Sequence, residues 1–423
     1  MADRSMTERE QRVTPLELFF DLVFVYALTQ VTQLMANDLT WVGVGHGLLV
    51  LAALWWAWTG YAWLTNILEP EEGVVRAGVF GAMIAMLVAA IAVPSAFGAD
   101  AILFGTAFLL VRLLNLGLDA VAGRHDPGLR RALVRFAPPA ALAPLVILLA
   151  GFFDGPAQVG LWIVALVILY AGALIGRGAG WRVEPAHFAE RHGLIVIIAL
   201  GESIVSIGVG SRGESLTPAV VTAAVLGMVV LCALWWTYFD VISVLSQRQL
   251  SEATGAARAR LARDYYTYLH LPMITGIVLF ALGLRITIDQ VGKPLATIPA
   301  VALCGGLSLY FLTHVALRLR LVHFIRRSTP DRPGWIGPGR LATGIDRHAR
   351  AHPRCSGGAG ARCPRARRGA VLGAHRLGRS ALSGAPQRGP TGATLALGNL
   401  PGTTRGPRCR RGSCRRPCGR AAA

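Results

Sequence analysis

Ten long apolar stretches, divided by short polar punctuation, organise the first three quarters of this chain. Each holds about 20 mainly apolar residues, enough for a helix to cross ~30 Å of hydrocarbon. The pattern predicts spans near 17–36, 41–68, 73–94, 100–121, 136–153, 157–176, 190–210, 218–241, 264–287 and 297–322. Turn residues fall between them: Asn37-Asp38, Pro70, Asp126-Pro127-Gly128, Asp154-Gly155-Pro156 and the segment from Gly292 to Pro294. The basic residues test the count. The N-terminus and the segments after even-numbered spans, with the span ends that adjoin them, hold 20 of the 24 basic residues that precede Gly339. Segments after odd-numbered spans hold only Arg212 and Lys293, while Arg112 and Arg285 fall inside spans. By the positive-inside rule this alternation predicts ten spans with both ends cytoplasmic. The expected fold class is an all-α integral membrane protein, a polytopic bundle of about ten transmembrane helices. Residues 1–16 form a cytoplasmic N-terminus and 17–326 the transmembrane domain. The first run carries Asp21 and is too long for the h-region of a signal peptide, so it reads as an uncleaved span.

An internal echo adds a further expectation. Glu17 opens span one and Trp55-Trp56 lies in span two; Glu190 opens span seven and Trp235-Trp236 lies in span eight. A shift of six helices keeps orientation, so a repeat would be parallel, as in some transporters. Chance similarity between Trp-bearing membrane helices gives the same pattern.

Composition agrees with the bilayer as solvent: 53% of the 423 residues are hydrophobic and 15% charged, with a mean hydropathy of +0.50. The net charge of +19 belongs to the tail. From Gly339 onward there are 18 Arg and one acid, Asp346, or +17, against +2 for everything before. The basic region 327–423 reads in three ways. It is a disordered segment that touches RNA or anionic lipid, a zinc site, or the product of a slipped reading frame near Pro338. Cys409-x4-Cys414-x3-Cys418 lacks the paired spacing and supporting His of a zinc site. The frame slip is favoured, because the earlier chain has 23 Arg and a single Lys (Lys293), which suggests GC-rich codons. Such Ala, Leu and Val codons read one base off yield Arg, Pro, Gly and Cys. Sequencing the coding DNA decides it: a slip requires an alternative frame after codon 338 that encodes a hydrophobic segment. Nucleic acid is accordingly not an expected partner. Cys232 and Cys304 lie in separate spans and imply no disulfide.

Polar groups at membrane depth are the candidate chemistry, since charge there is costly and marks ion paths or buried pairs. Glu202 lies twelve residues beyond Glu190, about 18 Å along a helix and near the midplane, with Ser206 at i+4. It reads as a proton or cation site, or as a hydrogen-bonded packing residue. Arg112, Asn115 and Asp119 share one face of span four and must avoid lipid. Arg112 is the expected partner of Glu202, in a structural or a transport pair. Tyr266 and His270 are one turn apart in span nine. Pro272 removes a hydrogen bond to the carbonyl of Tyr268, so His270 would sit beside a freed carbonyl. In span ten Tyr310, His314 and Arg318 continue at i+4 steps, Arg318 as an interface anchor. Glu17 and Asp21 share a face of span one, either lining a cytoplasmic mouth or pairing with Arg residues there. Trp235 and Trp236 suit an aromatic belt, whereas Trp55, Trp56 and Trp58 sit deeper, for packing or as a substrate wall.

Four stretches, "TPLELFFDLVFVYALTQ", "RHGLIVIIALGES", "LWWTYFD" and "YTYLHLPMITGIVLFALGL", together resemble the bacterial low temperature requirement protein A family. The resemblance covers residues 12 to about 337. It implies a multi-spanning protein of the bacterial cytoplasmic membrane whose activity is poorly defined, with a name linked to growth in the cold. The matching positions are Glu17, Phe20, Asp21, Gly201, Glu202, Trp235, Trp236, Asp240, Tyr268 and His270. It also implies further hydrophobic spans where this chain has its basic tail.

The leading functional expectation is proton- or cation-coupled transport. Glu202 is the titrating carboxylate, Arg112 its counter-charge, His270 a relay and Asp21 the cytoplasmic mouth. The alternative is a non-transporting membrane protein supporting envelope or low-temperature adaptation. An HExxH cluster, a GxSxG elbow and a Gly-rich phosphate loop are all absent, which argues against an enzyme. No cofactor or metal is called for, and the expected partners are the bilayer and a small cation or proton.

Overall fold

The computed structural model describes residues 13–68, 73–175, 180–212 and 215–328, with side chains through Val322. The chain divides into units 1–336 and 337–423, and the described residues all belong to the first. The basic tail, its cysteines and the frame question near Pro338 lie outside them.

Among the described residues every long element is helical, and ten helices are long and apolar enough to span a bilayer. They are α1 (Pro15–Asn37), α2 (Trp41–Thr65), α3 (Gly73–Ala92), α4 (Ala101–Ala122), α5 (Pro127–Ala150), α6 (Gly155–Ile175), α7 (Pro185–Gly210), α8 (Pro218–Glu252), α9 (Gly255–Asp289) and α10 (Thr297–Ser328). The setting is therefore a lipid bilayer. Five helices outrun their apolar stretches by five residues or more, α10 by continuing to Ser328. α5 begins at Pro127 rather than 136, because the Asp126 carboxylate accepts from the N–H groups of Gly128 (2.8 Å) and Leu129 (3.2 Å). Those bonds, with the Arg182 guanidinium at 2.9 Å, hold the Asp126 carboxyl below the usual range. α7 begins at Pro185, not Glu190, with proline at the first helical position where its missing N–H costs nothing. α8 runs on to Glu252 and α9 starts at Gly255, nine residues before the predicted 264. Each of these two carries a π-helical turn, Tyr238–Ser243 in α8 and Arg263–Tyr268 in α9.

The bundle is centred on α2 and α9, each 67% buried over its apolar window, against 22% for α8. α1 packs on α2, α3 and α7, α7 packs on α9, and α9 packs on α10; α4, α5 and α6 close the other side against α2. Polarity is turned inward, as a bilayer demands. α1 exposes Leu18, Phe19 and Leu22 and buries Glu17, Phe20, Asp21 and Phe24 on the opposite face. The members of the sequence echo sit in unlike surroundings. Glu17 and Trp55-Trp56 are buried, whereas Glu190 and Trp235-Trp236 are exposed.

In lipid no hydrophobic effect draws helices together, so close backbone approach through small residues carries the packing. At the α9–α10 contact a Cβ on Gly276 would lie 2.7 Å from the Gly306 carbonyl oxygen, and one on Gly306 would lie 2.6 Å from that of Gly276. Gly276→Val is therefore expected to wedge these helices apart and cost about 1–3 kcal/mol. A lowered unfolding temperature in detergent is the readout. An unchanged one would mean that this contact is looser than described.

Candidate functional site

The opening of α1, Thr14-Pro15-Leu16-Glu17, is a capping box: Thr14 N–H donates to Glu17 Oε2 (2.8 Å) and Glu17 N–H donates to Thr14 Oγ1 (3.4 Å). The capping carboxylate has a second partner. Arg191 Nη1 donates to Glu17 Oε1 at 2.7 Å, and Nη2 donates to Asp21 Oδ1 at 2.8 Å. The two acids lie one turn apart so that a single guanidinium can fork between them. Trp58 of α2 donates its indole N–H to the same Asp21 oxygen at 2.9 Å, and the Arg191 guanidinium lies 5.7 Å from the Trp58 ring centre. All three charged side chains are about 1% exposed.

His187, one turn before Arg191, completes the cluster, and its hydrogen-bond roles follow from its neighbours. The Glu184 N–H donates to Asn66 Oδ1 at 2.7 Å, which fixes Asn66 Nδ2 as a donor toward His187 Nδ1 at 3.0 Å. His187 Nδ1 therefore accepts, and Nε2 carries the proton donated to Glu17 at 3.1 Å. Two buried carboxylates thus face a single guanidinium. Asp21 Oδ2 is buried without a hydrogen-bond partner among the described residues. That oxygen is an open acceptor for a proton or small cation.

Glu202 occupies the same pair of helices. Thr29 of α1 donates its hydroxyl to Glu202 Oε2, and Ser206 donates to Oε1 at 3.3 Å. Arg191 faces Glu17 and Asp21, and eleven residues later Glu202 faces Thr29, so α1 and α7 run parallel. Their common seam carries two polar clusters about 17 Å apart. Glu202 is nearer the far end than its expected midplane position. α7 starts five residues early, which places Glu202 about 25 Å from its start and about 12 Å from its end.

The expected pairing of Glu202 with Arg112 does not form. Arg112 Nη1 donates to Asn115 Oδ1 on its own helix at 2.9 Å, while its Nε and Nη2 and the Asn115 Nδ2 are buried without partners among the described residues. α4 belongs to the α2–α3–α5 side of the bundle, away from α7. One turn beyond Thr29 on α1, Gln33 Oε1 accepts from Arg285 of α9 at 2.9 Å, which brings a different cation to the Glu202 end of the seam. The stripe itself is as expected: Arg112, Asn115 and Asp119 are all buried on one face.

His270 also departs from expectation. The π turn before it brings the Tyr265 carbonyl within 3.0 Å of His270 Nδ1, which therefore donates, leaving Nε2 to accept from the Tyr238 hydroxyl at 3.0 Å. The carbonyls of this turn that take a side-chain donor are those of Tyr265, from His270, and Thr267, from the Trp55 indole at 2.8 Å, not that of Tyr268. Tyr266 stacks on His270 with ring centres 5.1 Å apart and donates to Ser246 at 3.0 Å. His192 and His314 repeat the pattern. Each Nδ1 donates to the carbonyl four residues back, and each Nε2 is buried without a partner among the described residues. No group of three His, Cys, Asp or Glu side chains with metal-holding geometry occurs among the described residues.

The sequence reading missed Arg191, His187, Trp58, Thr29 and Arg285 as site members. For the first two a signal was present: Pro185 marks the earlier helix start, and His187 and Arg191 repeat the i,i+4 spacing of Glu17 and Asp21.

A ten-helix bundle with charged clusters buried along an internal seam defines a polytopic membrane protein of the kind that places ionisable groups at lipid depth. The model of one such family, the Bacterial low temperature requirement A protein (LtrA), matches residues 12–333, and the chain belongs to that family. An uncharacterized protein of Rhizobium meliloti (strain 1021) is 32% identical over 278 residues, 63% of this chain and 67% of the relative. No solved structure matches.

Proposed function

We propose that this LtrA-family protein is a proton- or cation-coupled transporter whose coupling groups lie on the α1–α7 seam. The observation that carries the reading is the pair of buried carboxylates on one guanidinium at the Glu17–Arg191–Asp21 cluster, with an Asp21 oxygen buried and unpartnered among the described residues. Structural ion pairs are normally balanced, because an unpaired charge in low dielectric is expensive. A site with two acids on one guanidinium suits a group that loads and releases a cation. Glu202 is the second station, with Arg285 as its counter-charge in place of Arg112. His270, held by Tyr238 and Tyr265, is a relay beside the path. The reading puts the N-terminus in the cytoplasm of a bacterial cell, an orientation that the distribution of basic residues supports. In this reading the chain carries no catalytic centre.

The test is proton entry into proteoliposomes under an imposed potential, read with a trapped pH-sensitive dye. Protein-dependent flux that falls in Asp21→Asn is the expected result. Wild-type vesicles no leakier than protein-free ones, with either protons or sodium as the driving ion, would reject the reading.

One observation favours a second reading, a non-transporting membrane protein that supports envelope or low-temperature adaptation. Arg191 ties both acids of the first cluster at 2.7 and 2.8 Å, as a structural staple would. Substitutions at the seam would then change protein level and leave ion flux untouched.

A further inference from the structure

A cavity of ≈ 70 Å³ lies at the N-terminal end of the bundle, where α2, α4, α5, α6 and α9 meet. Its walls are aromatic: Trp56, Trp63, Phe136 and Trp181. Trp181 stands edge-on to both Trp63 and Phe136, with centroids 5.5 and 6.0 Å away. Its polar floor is Asn115 and Asp119. Asn115 is fully buried, and its Nδ2 reaches no acceptor among the described residues. The Asp119 carboxylate, 5% exposed, receives no hydrogen bond among them either. Arg263 at the rim is already committed to Asp264, at 2.9 and 2.7 Å.

These unsatisfied groups make a complementary set. The amide N–H of Asn115 needs an acceptor, as do Arg112 Nε and Nη2 buried behind it, and the Asp119 carboxylate needs a donor. The Arg112 and Asp119 charges cancel, so an occupant with net charge of either sign would leave an uncompensated buried charge. An occupant that is neutral overall, with a carboxylate at one end and an ammonium at the other, satisfies both sides. The ring-lined wall beside Asp119 favours the ammonium there. A water needs about 10–15 Å³ of such space, so the cavity admits several waters or a solute of a few heavy atoms.

We propose that this cavity binds a small zwitterion of the amino-acid class, its ammonium on Asp119 between the aromatic rings and its carboxylate on Asn115. As the substrate site of a carrier this rests on the transport reading; as a binding site it does not. The path to the coupling seam is short and bonded. Thr267 lines the cavity and accepts from Trp63 through its hydroxyl (2.9 Å) and from Trp55 through its carbonyl (2.8 Å). Trp55 stacks on Trp58 at 5.3 Å, and Trp58 holds Asp21 at 2.9 Å.

Equilibrium binding to the full chain in detergent, with no gradient, separates this inference from transport. Radiolabelled glycine, alanine and β-alanine are the probes, with acetamide as the uncharged control. Saturable binding of at least one zwitterion is expected, weakened tenfold or more in Asp119→Asn and lost in Ala173→Leu. The latter fills the cavity with an apolar side chain and leaves the bundle intact. Three results would overturn the assignment: no saturable binding of any zwitterion, in which case the cavity holds water only; acetamide binding as tightly as the zwitterions; or Ala173→Leu binding like wild type. Binding without flux would leave the site standing and remove its role in a carrier.

Discussion

Arg191→Met is expected to destabilise the protein by about 3–5 kcal/mol, the range found when one member of a buried ion pair is removed. Met fills much of the guanidinium's volume, so the loss is electrostatic rather than a packing defect. It strands two carboxylates, Glu17 and Asp21, that are about 1% exposed and are bonded to no other Arg or Lys among the described residues. Glu17 keeps Thr14 and His187, whereas Asp21 keeps only Trp58, so Asp21 suffers more. Neutralising the stranded acids must therefore restore much of what is lost. The triple variant Arg191→Met, Glu17→Gln, Asp21→Asn is expected to unfold at a higher temperature than Arg191→Met alone. Thermal unfolding in detergent, with membrane expression level as a second readout, checks both statements. A single variant as stable as wild type, or a triple variant no better than the single, would show that the acids do not depend on this arginine.

That cluster also shows where sequence reading succeeds and stops. The ten helices were legible because hydrocarbon thickness imposes a length, and the basic residues alternate by side. The inward face of α1 was legible from Glu17 and Asp21, because two acids at i,i+4 cannot face lipid. Arg191 was not, since "FAERHGL" looks like the polar end of a loop when the span is counted from Glu190. An apolar run marks where lipid contact begins, whereas Pro185 marks where the helix begins, and the turn between them holds the buried cation. The partner of Glu202 was illegible for another reason. Depth along a helix can be counted from sequence, but lateral neighbours cannot, and Arg112 and Glu202 sit on helices that face different sides of α2. The cavity was half visible: the Arg112–Asn115–Asp119 stripe required an interior surface, but nothing along the chain says that Trp181, Phe136 and Ala173 stand opposite it.

Glu202→Gln is expected to reduce ion flux to the level of protein-free vesicles while leaving the fold in place. Glutamine keeps the side chain's length: its oxygen can accept from the Ser206 hydroxyl, and its amide N–H can donate to Thr29, whose own hydroxyl proton has the Val25 carbonyl at 3.2 Å. It cannot take up or release a proton, so a coupling role is removed and a packing role survives. Glu202→Asp keeps the titrating group but shortens its reach by a methylene, and is expected to retain part of the flux. The revised counter-charge is tested by double-mutant cycles on unfolding in detergent. Glu202→Gln combined with Arg285→Gln should show a coupling energy in the ~0.5–3 kcal/mol range of groups in one network. The same substitution combined with Arg112→Met should be additive within about 0.5 kcal/mol, as separate sites are. Coupling to Arg112 and none to Arg285 would reverse the assignment of partners. Full flux in Glu202→Gln would confine the carboxylate to holding α1 against α7, and would leave Asp21 as the seam's only loading site.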